Sequence, residues 1–83
     1  MKAIVAAQAG WFVVEPVREN DSVVALHYEP IIAWVVEDNG NTSPIVAVDV
    51  DGAQRILKRP DGRMRFGDLE FTDDQVLIAE LNK

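Results

Sequence analysis

Cysteine is absent from the 83 residues, and histidine and tyrosine each occur once. Without thiols there is no disulfide framework and no thiolate metal site, which fits a reducing cytoplasm, the expected compartment. No apolar run approaches the roughly 18 residues that a membrane-spanning helix needs. The segment Met1–Gly10 carries one basic residue and an apolar core of about five residues. A secretion signal needs a core of roughly 7–15, so none is expected. Asn20-Asp21-Ser22 and Asn41-Thr42-Ser43 match the glycosylation pattern, but without secretion they read as turn residues. Internal repeats and low-complexity tracts are also missing.

Basic residues are scarce outside one segment. From Ala53 to Phe66, five basic residues face one acid, a net of +4, while the remainder holds three basic and thirteen acidic residues, a net of −10. The whole chain sums to −6. An acidic body of this kind disfavours broad nucleic-acid binding, because phosphate repels it. A chain this short forms one domain, and it buries only about 60 % of its unfolded surface, so it gains from pairing.

What the chain does hold is Ile31–Val36, Ile-Ile-Ala-Trp-Val-Val. Six β-branched, aromatic and small residues between Pro30 and Glu37-Asp38-Asn39-Gly40 suit a strand. Alternation places Ile31, Ala33 and Val35 on one face and Ile32, Trp34 and Val36 on the other. Both faces are apolar, so both are expected to be covered, since exposure forgoes about 25 cal/mol per Å².

Further strands are expected near 3–7, 11–17, 22–28, 45–50, 53–57 and 63–66. Pro16 cannot donate to a ladder, so its strand end belongs at an edge or a bulge. Glu29-Pro30 reads as a bend into the central strand. Asp38-Asn39-Gly40-Asn41 is a turn that Thr42-Ser43-Pro44 prolongs. Asp51-Gly52 and Pro60-Asp61-Gly62 are tight turns that carry the basic segment on two hairpins. Gly67-Asp68 ends the strand pattern. Thr72-Asp73-Asp74-Gln75 reads as a capping box opening a helix over 73–82, with Leu77, Ile78 and Leu81 on one face. Ten residues are too few for an isolated helix, and the free face of the central strand is its expected dock. The expected fold is a small, mainly antiparallel barrel-like or sandwich-like sheet of six or seven short strands with one C-terminal helix.

Catalytic constellations are thin. His27 lacks a partner visible in the sequence, and it reads as a half-exposed strand residue. Ser22 and Ser43 sit in turns without nucleophile-elbow glycines. Asp49-Val50-Asp51-Gly52 opens like a calcium loop but has Lys58 where the closing glutamate belongs. Glu15, Glu29 and Glu37 carry no informative spacing, and no glycine-rich phosphate loop is present. These absences lead us to expect no enzyme, no metal and no cofactor. Two groups remain as contact residues. Trp11, Phe12 and Trp34 are large apolar groups in a chain with little interior, suited either to the core or to an interface. Arg55, Lys58, Arg59, Arg63 and Arg65 suit a solvated edge, the acidic face of a second copy, or a nucleic-acid backbone.

Three segments also carry a resemblance: Ala-Gln-Ala-Gly-Trp-Phe-Val-Val-Glu-Pro-Val from Ala7, Pro-Ile-Ile-Ala-Trp-Val-Val-Glu from Pro30, and Arg-Pro-Asp-Gly-Arg from Arg59. Together with the short C-terminal helix, they resemble a set of small uncharacterised prophage and bacterial proteins. Those usually read Ala-Gln-Pro-Gly-Phe in the first segment, where this chain has Ala9 and Trp11. The resemblance implies a prophage context and a bacterial cytoplasm, and it implies no catalytic residue. The expected role is a non-enzymatic interaction module, a homodimer or the partner of a phage or host protein. The alternative is a nucleic-acid-associated accessory protein using residues 55–65. No membrane association is expected.

Overall fold

A computed structural model describes residues 2–50 and 55–83. Among them the chain forms β1 (Ala3–Ala6), β2 (Phe12–Glu19), β3 (Ser22–Val36), β4 (Thr42–Val46), β5 (Ile56–Lys58), β6 (Met64–Phe66), β7 (Leu69–Phe71) and α1 (Asp74–Leu81). Every strand pairing is antiparallel, and the sheet curls into a half-barrel. The expected mainly β fold with one C-terminal helix is therefore what forms.

β3 is the spine. Its 15 residues run without a break through Glu29-Pro30, where a bend was expected. The ladder tolerates Pro30 because the next amide resumes it: Ile31 N–H donates to the Trp11 carbonyl at 2.9 Å. Residues Ser22–Pro30 pair with β2, and Ile31–Val36 pair with β1 and β4. β2 continues to β5, β6 and β7. At the β2–β3 turn, Asn20 and Asp21 both take positive φ (52° and 68°), the geometry that suits a two-residue hairpin. β5 reaches only Phe12–Val14, so among the described residues Pro16 sits where β2 has no second neighbour.

Directly opposed residues share a face, and the register sorts the β2–β7 half into two sides. Val14, Tyr28, Ile56 and Leu26 point to one side, with Met64 and Phe71 beside them. There α1 buries Leu77 against Val14, Ile56 and Met64, flanked by Leu26, Tyr28, Phe66, Phe71 and Leu81. The helix thus docks on the β2–β7 half and not on the expected free face of Ile31–Val36. Ile32 is accordingly 56 % exposed. The expectation that both faces of the central stretch are covered fails at this residue. The only helix among the described residues is spent on the other half of β3.

Other boundaries move for local reasons. Thr42-Ser43-Pro44 belongs to β4 rather than to the loop, because Glu37 N–H closes the hairpin early on the Asn41 carbonyl, at 2.8 Å. Of the expected strand 45–50, only Ile45 and Val46 are in a strand. The Asp51-Gly52 turn and the start of the strand 53–57 lie outside the described residues. Gly67-Asp68 is a hairpin turn, with Phe66 opposite Leu69, and it opens a strand that the sequence reading lacked. The helix cap is Asp73 rather than Thr72, and Asp73 Oδ1 accepts from Gln75 N–H at 2.7 Å.

Candidate functional site

The three-stranded end, β1, β4 and Ile31–Val36, and the β2–β7 half border a groove of about 560 Å³. Val5, Trp34, Val36 and Thr42 line it from one half, and Trp11, Leu57, Arg59 and Arg65 from the other. Register places Val5 opposite Trp34 and Val36 opposite Thr42, so one face of the three-stranded end looks into the groove. Leu57 opposes Val13 and Arg65, which puts Arg65 on the side of the sheet away from the helix. Gln8 also lines the groove, at the start of the loop that runs to Gly10. A Cβ at Gly10 would stand 3.1 Å from Pro60 Cα, so the bare glycine lets the loop seat against the Pro60 turn.

Two of the three expected contact aromatics meet here. The Trp11 and Trp34 rings stand edge to face, with centroids 5.5 Å apart, a favoured aromatic geometry. Phe12 lies on the helix side instead, edge to face with Tyr28. All three are half-buried. The segments that carry the resemblance therefore converge, since Gln8 and Trp11, Trp34, and Arg59 come from one each.

The basic residues do not act as one patch. Lys58 Nζ sits over the Tyr28 ring on the helix side, 4.9 Å from its centroid. Arg59 donates to Glu70 at 2.9 Å, and Arg63 lies 3.4 Å from Asp61 and 3.6 Å from Glu70. Arg59 Nε is buried and has no hydrogen-bond partner; Asp61 is 3.7 Å away. Arg65 donates through Nε to the Gly67 carbonyl, and among the described residues no carboxylate pairs with it. Arg55 is exposed.

His27 gains a partner the sequence did not reveal: its Nε2 is 2.8 Å from Glu29 Oε1. Glu15 stands opposite His27 on the neighbouring strand. The described residues contain no group of three His, Cys, Asp or Glu placed to hold a metal. Tyr28 is a perturbed titrating group. Burial first, then its hydrogen bond to Asp74 at 2.5 Å, hold the phenol well above its ordinary range. Both effects favour the neutral phenol, so the pair is a structural tie between sheet and helix.

A second feature is β1. Ala3, Ile4, Val5 and Ala6 are all apolar and all exposed, with Ile4 at 73 %. β1 pairs with β3 alone, so its other edge has no strand partner among the described residues. No sequence rule marked this strand as uncovered, because its exposure depends on where β3 and the helix go.

No protein-family model, no curated protein and no solved structure matches the chain. Among the described residues no helix is long and apolar enough to cross a membrane.

Proposed function

We propose that this protein is a non-enzymatic interaction module of prophage context that pairs with a second copy of itself along β1. The observation that carries the reading is the strand Ala3–Ala6, apolar throughout, exposed throughout and open along one edge. An open apolar edge is a template for another strand. Surface area points the same way. A compact chain of 9.2 kDa exposes roughly 4,900 Å², and this chain exposes 5576 Å². The excess is about 650 Å², close to the roughly 800 Å² that each partner buries in a standard interface. The nucleic-acid reading has less support, because Asp61 and Glu70 occupy Arg59 and Arg63 while Lys58 packs on Tyr28.

Light scattering tests the reading. The native chain at tens of micromolar is expected at twice its monomer mass, and Ile4→Lys at monomer mass with an unchanged circular dichroism spectrum. A native chain that stays monomeric, or an Ile4→Lys dimer, overturns it.

A further inference from the structure

The groove between the two halves has a composition unlike the rest of the surface. Its walls are apolar, from Trp11, Trp34, Val36 and Leu57, and its basic groups are Arg59 and Arg65. Elsewhere the chain is acidic. Arg65 has no carboxylate partner among the described residues, whereas Arg59 is paired with Glu70 at 2.9 Å and stands 3.7 Å from Asp61. The volume of about 560 Å³ falls within the roughly 300–1,000 Å³ of small-molecule sites.

We propose that this groove binds a small organic anion with an apolar ring or chain. The body lies against Trp11, Trp34 and Leu57. The carboxylate or comparable head sits on the guanidinium of Arg65. Charge complementarity selects the anion, since a cationic ligand meets the Arg65 guanidinium and a neutral one forgoes the charge-assisted hydrogen bond to it. The apolar walls select an apolar body over a phosphate backbone, which would place its charges along Val36, Leu57 and Trp34. This proposal does not require self-association along β1, because the groove is complete within one chain.

Two probes of one shape separate the contributions: 2-naphthoate and its neutral amide, 2-naphthamide. The chain holds two tryptophans, so two indole N–H resonances report on the groove by NMR. Naphthoate is expected to shift both saturably at roughly millimolar concentration. The amide is expected to bind about tenfold more weakly, because a charge-assisted hydrogen bond is lost. Arg65→Gln is expected to erase most of that difference while leaving weak binding of the amide. Equal binding of acid and amide by the native chain overturns the proposal without recourse to any variant. So does a preference that survives Arg65→Gln, absent indole shifts, or saturable shifts with a single-stranded oligonucleotide and not with naphthoate.

Discussion

The side-chain amide of Asn82 hydrogen-bonds the backbone of Val23 in both directions, as a neighbouring strand would. Val23 N–H donates to Asn82 Oδ1 at 2.7 Å, and Asn82 Nδ2 donates to the Val23 carbonyl at 3.0 Å. These residues are 59 apart in sequence. Over Ser22–Pro30, β3 pairs with β2 alone, so its second edge there has no strand beside it among the described residues. Asn82, at the helix C-cap, closes that edge at one residue and ties the helix end to the sheet. Asn82→Ala is expected to cost about 1–2 kcal/mol, two part-buried hydrogen bonds. A urea midpoint would show it, with the slope unchanged. A loss below about 0.3 kcal/mol would mean that water replaces the amide without penalty.

The other end of the helix is tied by Tyr28 and Asp74. Tyr28→Phe keeps the ring against Phe12 and Lys58 but removes the hydroxyl from Asp74, and is expected to cost about 1–2 kcal/mol. The pH dependence has a definite sign. The folded phenol titrates above its unfolded value of about 10, so folding holds its proton more tightly than the unfolded chain does. The tie contributes fully below about pH 10 and is lost progressively as pH rises above that value. Chemical denaturation from pH 8 to 11 should give a steeper alkaline fall for the native chain than for Tyr28→Phe. Parallel profiles would show that the hydroxyl is not coupled to folding. Every other group is common to both proteins, so the comparison isolates Tyr28.

Much of this architecture was legible because it is written locally. Asn20-Asp21 and Pro60-Asp61-Gly62 carry their turn chemistry in adjacent residues. The helix carries its apolar spacing and its acidic start. The errors arose where two readings of one local signal compete. Thr72 and Asp73 both cap helices, and only the Asp73 to Gln75 hydrogen bond separates them. Gly67-Asp68 can stop a strand or reverse it, and Leu69–Phe71 is too short to announce itself. Glu29-Pro30 reads as a bend, yet β3 runs straight through it because the Ile31 amide resumes the ladder. The groove was hidden altogether. It joins residues from near 5–11, 34–42 and 57–65, and no local pattern encodes which face of β3 turns toward Leu57.

That groove rests on the seating of Gly10 against Pro60. Gly10 has φ +94°, a region where L-residues are strained, and the added methyl would also meet Pro60 at 3.1–3.2 Å. Gly10→Ala is expected to destabilise the fold by about 1–3 kcal/mol and to shift the Trp11 indole resonance. Gly62→Ala provides the control. Its φ is +84°, but no atom lies within 4 Å of the added methyl. The backbone penalty is therefore shared and only Gly10→Ala adds a clash. Equal losses in the two variants would show that the Pro60 contact contributes nothing.

The uneven cover along β3 gives the sharpest contrast. Ile56 and Leu77 are fully buried between sheet and helix, whereas Ile32 is 56 % exposed at a register irregularity between β3 and β4. Ile56→Ala and Leu77→Ala each remove buried methylene groups and leave a cavity, and each is expected to cost about 2–5 kcal/mol. Ile32→Ser removes mostly exposed surface and is expected to cost less than about 1 kcal/mol in the monomer. Measured at concentrations where the chain self-associates, the same Ile32→Ser change distinguishes two locations for the interface. A loss that grows with protein concentration places Ile32 within the contact, because association then adds to stability by mass action. A loss that stays constant confines the contact to β1, where Ile4 and Val5 are the residues to change next. A loss of several kcal/mol in the dilute monomer would mean that the chain itself shelters Ile32, and that the helix side is not the only packed core along β3.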